Sequence, residues 1–314
     1  MNRILVPSEI QALQHSTIPR VRLPQRADVF KARAQRMRAL ATDDHLIRDY
    51  LLLMADLVDA QHEALAQVSR PLITPLPRAE DVSVQAMRTG AAQWSRRHPE
   101  WRGVLEFLLS RLETTRELEG PVAAACGRLR GLDSETLERE ADLLVTADYE
   151  AFVNQSAPFI AAALQVIWAD AASRLTPEQV PYPDTPGVCP VCGTHALASI
   201  VRIGGAYEGY RYLACGLCAT EAHVVRVKCT HCDSTRGVSY QMIEGHPGWA
   251  KAESCDECHT YRKIFYQSKE LGVEPFADDL ATLALDLLMN EDGYLRAAPH
   301  PFLRPSAESD SGVH

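Results

Sequence analysis

Apolar positions keep a helical period through most of the first half of the chain and a strand period through much of the second. Phe30, Arg33, Met37 and Leu40 lie three to four residues apart. Leu46, Ile47, Tyr50, Leu51, Met54, Leu57 and Val58 continue that rhythm after Asp43-Asp44, a pair suited to capping a helix start. Pro71, Pro75 and Pro77 interrupt it, and helical patterns return at 82–97, 101–117, 134–145 and 158–175. These segments predict an all-α domain over 26–176. An arm over 1–25 precedes it, with Pro7, Pro19 and Pro24 and no sustained period, and reads as loosely ordered or docked. Pro177, Pro181, Pro183 and Pro186 cannot sit inside a helix and mark 177–188 as a linker.

Beyond the linker the pattern changes to short β-branched and aromatic runs divided by turn residues. Residues 199–203 alternate, meet the glycine-rich turn 204–209, and return through 210–213. Residues 238–243, the turn 244–248 and residues 249–252 repeat the arrangement. Within 271–293 the run from Asp278 to Met289 reads as a short apolar helix that needs a partner surface. The tail, 294–314, is expected to lose order beyond Pro305.

Composition narrows the class of protein. The chain has 314 residues, 46% of them apolar and 23% charged, as expected of a globular protein rather than a disordered one. Its net charge of −9 provides no overall basic field for nucleic acid or an anionic membrane surface. Pro7 and Glu9 arrive before a secretory h-region could form. The most apolar stretch, 157–168, is about 12 residues long, short of the roughly 20 that span a bilayer. A cytoplasmic location without membrane insertion is the resulting expectation. No Gly-rich phosphate loop, Gly-x-Ser-x-Gly elbow or His-Glu-x-x-His motif is present, so no catalytic residues are assigned and the chain reads as a non-enzyme. Arg96-Arg97 lies mid-chain in a helical pattern and reads as a solvated helix face.

The cysteines carry the chemistry. Eight of nine form four Cys-x-x-Cys pairs: Cys189/Cys192, Cys215/Cys218, Cys229/Cys232 and Cys255/Cys258. Twenty-two residues separate Cys192 from Cys215 and again Cys232 from Cys255, and each cysteine of the first set recurs 40 positions later. A duplicated register of this kind is strong evidence for two tandem metal modules, 189–226 and 227–270. Two thiolates two residues apart can face one ion across a tight turn, and a hairpin that returns a second such turn completes a tetrahedral all-sulfur site. Crossed pairing of Cys189/Cys192 with Cys229/Cys232 is the alternative that the matched loops disfavour. Such small modules are zinc-ribbon or rubredoxin-like and depend on the ion for folding. All-sulfur tetrahedral sites suit zinc and iron alike. Gly193 follows the second cysteine of the first turn, whereas Ala219, Asp233 and His259 occupy that place in the others. His195, His223, His231 and His259 lie near the cysteines, but four thiolates already fill each site. Cys126 stands apart and reads as a small buried apolar residue.

The duplicated set, together with Leu213-Ala-Cys215-Gly-Leu-Cys218-Ala-Thr-Glu221, Glu253-Ser-Cys255-Asp-Glu-Cys258 and the run from Ala277 to Leu288, resembles the bacterial FdhE family of formate dehydrogenase accessory proteins. The resemblance covers most of 26–304 and is most specific over 189–303. In the helical part it rests on Asp49-Tyr50-Leu51 and Gln165-Val166-Ile167-Trp168.

It implies a cytoplasmic maturation factor that binds the catalytic subunit of respiratory formate dehydrogenase. It also implies two metal ions held by Cys189, Cys192, Cys215, Cys218, Cys229, Cys232, Cys255 and Cys258, with iron ranked ahead of zinc. The fold class expected is thus α+β multidomain: an all-α domain, two tandem four-cysteine ribbons of rubredoxin-like or zinc-ribbon type and a short C-terminal helix. A rubredoxin-like electron carrier is the alternative function. A nucleic-acid-binding zinc ribbon is disfavoured, because 189–266 balances 8 Lys and Arg against 7 Asp and Glu. Oligomeric state is left open.

Overall fold

In a computed structural model, residues 18–67, 100–146, 155–182 and 185–303 are described. The expected helix at 82–97, the prolines at 71, 75 and 77, Arg96-Arg97 and the tail beyond Pro305 lie outside them. After β1 (Val21–Arg22) come six helices: α1 (Val29–Leu40), α2 (Arg48–Gln67), α3 (Trp101–Thr115), α4 (Gly120–Gly131), α5 (Ser134–Thr146) and α6 (Ala157–Ser173). The second helix starts later than Asp43-Asp44 suggested. Asp44 accepts a 2.7 Å bond from the Thr42 hydroxyl inside a preceding turn, and the chain turns once more through His45 before Arg48. α6 is apolar on every side and nearly all of it is buried; α2, α3 and α5 pack around it.

The remaining strands are β2 (Ala196–Val201), β3 (Arg211–Cys215), β4 (Glu221–Val224), β5 (Val238–Gln241), β6 (Ala250–Cys255), β7 (Thr260–Tyr266) and β8 (Leu295–Arg296). They form one sheet in the order β1-β4-β3-β2-β7-β6-β5, with β8 added beside β7. Each repeat contributes an antiparallel three-stranded unit, and the units are joined by parallel pairing of β2 with β7, where Ser199 faces Ile264. The ribbons are therefore halves of a continuous sheet. Part of the N-terminal arm is docked here: Val21 pairs with Ala222 and closes the β4 edge, while among the described residues β5 has a neighbour on one side only.

Two helices, α7 (Pro275–Ala281) and α8 (Leu283–Glu291), occupy the C-terminal run that reads as one helix in the sequence. They part at Thr282, and the buried ammonium of Lys263 explains the break. Lys263 Nζ donates to the carbonyls of Asp279 and Thr282 at 2.8 and 3.0 Å, a cation set at the end of α7 where unpaired carbonyls collect. The linker holds a single 3-10 turn, Pro177–Gln179, tied to the arm by Arg20, which donates to Pro177 O at 2.8 Å.

One apolar cluster runs from the helices into the sheet. Trp101, Leu109, Ile160 and Ile167 belong to it, as do Leu197, Ile200, Tyr212, Phe265, Phe276 and Phe302. Helices and first ribbon consequently share a core, and burial of each large apolar side chain in it contributes about 1.5–3 kcal/mol.

Candidate metal centres

The eight paired cysteines converge in two groups, Cys189, Cys192, Cys215 and Cys218, and Cys229, Cys232, Cys255 and Cys258. Within each, the sulfur atoms all lie within 4.8 Å of one another. Closest approaches in the first are 3.5 Å for Cys189 to Cys218 and 3.4 Å for Cys192 to Cys215. In the second, Cys229 to Cys258 and Cys232 to Cys255 are both 3.7 Å. A tetrahedron with metal–sulfur bonds of about 2.3 Å has edges of about 3.8 Å, so both groups are close to the size of one ion. The groups form within each repeat, and the crossed arrangement does not occur.

The sheet explains the convergence. In each repeat one turn lies just before the first strand and the other at a hairpin end, after β3 or β6. All four turns bend alike. The residue after the second cysteine adopts a positive φ: 77° at Gly193, 59° at Ala219, 69° at Asp233 and 50° at His259. The last three are the non-glycine residues with positive φ among the described residues. For alanine that conformation costs about 1–2 kcal/mol, and it is kept because it turns the second sulfur toward the first. The backbone N–H groups of Gly193 and Asp233 close the turns onto Cys189 O and Cys229 O at 3.0 and 3.1 Å.

Backbone N–H donors and threonine hydroxyls surround the sulfurs. Backbone N–H groups of Leu217 and Cys218 point at Cys215 Sγ, both at 3.4 Å, and that of His231 points at Cys229 Sγ at 3.4 Å. Threonine hydroxyls sit 3.2 Å from Cys192 and Cys218 (Thr194, Thr220) and 3.1 Å from Cys258 (Thr260). Ser234, the counterpart of Thr194, donates to Arg236 O instead.

Burial separates the two groups. All four thiols of the first are buried, with Cys218 at 0% exposure, whereas in the second Cys232 is exposed and Cys258 half-buried. Burial pushes the Cys189 and Cys218 thiols well up and the Cys229 thiol up to about 12. Four thiols packed this closely cannot all ionise side by side unless a cation offsets their repulsion, so the donor set fits a soft or borderline metal ion. No histidine joins either group. His223 packs between Tyr210 and Tyr212, with ring centroids 5.7 and 5.6 Å away, and His259 lies against Tyr294. Cys126 is buried in α4, as its apolar surroundings suggest.

Two supports go beyond the sequence patterns. Gln165 of α6 donates to Gly216 O, inside the Cys215/Cys218 turn, at 2.7 Å and accepts from Gln61 of α2 at 2.9 Å. This buried amide chain ties the first centre to the helices. Arg262, fully buried on β7, donates from Nε to Thr230 Oγ1 within the Cys229/Cys232 turn at 3.1 Å. Its counterpart 40 residues earlier is Ala222. The 40-residue offset already pairs Thr220 with Thr260, but a glutamine in a helical run carries no such signal.

Comparison with known proteins agrees with this architecture. Family models described as "FdhE, N-terminal", "FdhE, central domain" and "FdhE, C-terminal domain" match residues 18–184, 188–226 and 227–303. A protein named "Protein FdhE homolog" from Edwardsiella ictaluri is 40% identical over 291 residues, covering 90% of this chain and 91% of the relative. "Protein FdhE" from Salmonella enteritidis is 37% identical, covering 96% and 98%. The crystal structure of the FdhE protein from Pseudomonas aeruginosa superposes with a TM-score of 0.77 at 31% identity, covering 92% of this chain and all of that one. With its helical body, its two four-cysteine groups on one sheet and this similarity along nearly its whole length, the chain belongs to the FdhE family.

Proposed function

We propose that the protein is a cytoplasmic accessory factor for respiratory formate dehydrogenase that binds the catalytic subunit during maturation and is not itself an enzyme. Each four-cysteine group is read as a metal site, with Cys189, Cys192, Cys215 and Cys218 holding one ion and Cys229, Cys232, Cys255 and Cys258 the other. Convergence of the eight sulfurs into two ion-sized clusters carries this reading. Bound there, an ion neutralises ionised sulfurs and cross-links two turns of the sheet. We rank iron ahead of zinc because the family resemblance implies it, whereas four thiolates suit either ion.

A cleft of about 600 Å3 lies beside the first centre. Ala219, next to Cys218, lines it with Arg22, Arg36, Arg202 and Glu221. Four of its charged side chains are paired: Arg202 and Arg22 with Glu221, and Arg36 with Asp278 at 2.7 Å. Such a site suits recognition better than bond-making. No helix among the described residues is long and apolar enough to cross a membrane.

The test is capture of the purified formate dehydrogenase catalytic subunit by the wild type and by the Cys189→Ser, Cys192→Ser variant. Binding by the wild type and its loss together with one ion in the variant are expected. A variant that loses the ion but binds normally refutes coupling through the fold, and a wild type that does not bind refutes the client reading. The half-exposed second centre favours one further reading, electron transfer. An absorption band that bleaches with dithionite and returns in air supports it, and colourless protein excludes it.

A further inference from the structure

The two centres are chemically alike in their ligands but not in their surroundings. Around the first, all four thiols are buried, two threonine hydroxyls approach the sulfurs, and the Gln61–Gln165–Gly216 chain clamps one turn to the helices. Gly216 is closely packed, since a Cβ there would lie 3.3 Å from Leu197 Cβ and 3.4 Å from Pro301 Cγ. Around the second, Cys232 is exposed and Cys258 half-buried, while Cys229 and Cys255 lie on the inner side with Arg262. The hairpin that carries it ends at β5, the strand paired on one side only. Ligand exchange at a tetrathiolate ion needs an incoming donor to reach the ion as one sulfur leaves, so exposure of a sulfur governs the rate.

We propose that the second centre exchanges its ion with chelating ligands in solution through Cys232 and Cys258, while the first centre gives up its ion far more slowly. With an ion held by Cys229, Cys232, Cys255 and Cys258, a donor atom of an incoming ligand would bond to it as the bond to Cys232 Sγ breaks, and the bond to Cys258 Sγ would be replaced in the same way. Each displaced sulfur would leave as a thiolate, one metal–ligand bond forming for each that breaks, and neither oxidant nor reductant takes part. Cys229 and Cys255 leave last, because both are buried while Cys232 is exposed and Cys258 half-buried. The second centre thus serves as a point where metal is received or surrendered, and the first as part of the frame.

This rests on the reading of the cysteines as metal ligands, and one experiment separates the two claims. Full-length protein is first assayed for metal and then mixed with 4-(2-pyridylazo)resorcinol and iodoacetamide. Release is followed by absorbance, and alkylation is mapped by mass spectrometry. Two phases of about one ion each are expected, separated by at least about tenfold in rate, with Cys232 and Cys258 alkylated during the fast phase. The Cys232→Ser variant should lack the fast phase and keep the slow one. A single phase with all eight cysteines alkylated together, or a fast phase that labels Cys189, Cys192, Cys215 or Cys218, overturns the proposal. Protein that carries no metal at the outset overturns the metal reading itself.

Discussion

The first and second ribbons share a 40-residue register, the same four-cysteine grammar and the same left-handed bend after each second cysteine, yet the fold uses them differently. β2, β3 and β4 are almost wholly buried, and their four cysteines are part of the main core. β5 is half-buried or exposed along its length, and Val225, Val227, Tyr240 and Met242 around that ribbon are open to solvent. Duplication supplies two equivalent frames, and packing against the helices makes one of them interior. Ligand identity alone therefore does not define what a metal site does, because burial and the neighbours of the sulfurs decide how firmly an ion is held.

The largest expected effect comes from breaking the interior member. Cys189→Ser with Cys192→Ser should lose one ion and unfold the helices along with β2, β3 and β4. A structural tetrathiolate ion contributes about 10–16 kcal/mol, comparable to the whole stability of about 5–15 kcal/mol typical of a domain. Circular dichroism would register the loss of helical signal. The matching change at the outer member, Cys229→Ser with Cys232→Ser, should also lose one ion but spare α1 to α6. Hydrogen exchange would show lost protection confined to β5, β6 and the turns around them. Equal damage by both double variants would erase the contrast.

Smaller effects sharpen it. Gln165→Leu removes the donor to Gly216 O and one of the two acceptors of the Gln61 amide, which keeps Ala162 O, and should cost about 1–3 kcal/mol in denaturant unfolding. Arg262→Leu removes the cation beneath the second centre and should weaken ion retention there roughly tenfold, with the first centre unchanged in the same chelator competition. Ala219→Gly relieves left-handed strain at the first centre. Against the freedom that glycine adds to the unfolded chain, the net gain should stay under about 1 kcal/mol, visible as a small rise in midpoint.

Much of this arrangement is legible in the sequence because metal ligation imposes spacing. Four Cys-x-x-Cys pairs at matched intervals specify turns, hairpins and grouping before any coordinates are seen, and the grouping by repeat agrees. Gly193 hints at the bend that Ala219, Asp233 and His259 also adopt, although three of the four positions lack the glycine that would announce it. What stays hidden is non-local. Pairing of β2 with β7 joins residues more than sixty positions apart, such as Ser199 and Ile264, and no local pattern encodes a parallel register. Thr282 interrupts an apolar helix because a lysine from β7 is buried beneath it. The difference in exposure between Cys232 and Cys192 likewise follows from which ribbon the helices cover, and the cysteine spacing is identical in both.

The most direct test of the account is metal stoichiometry, measured by plasma mass spectrometry on full-length protein and on the two double cysteine variants. The account predicts about two ions per chain in the wild type and one in the Cys229→Ser, Cys232→Ser variant, with the retained ion still bound by the first set. Fewer than one ion per wild-type chain, or loss of both ions when only the second set is changed, would contradict it.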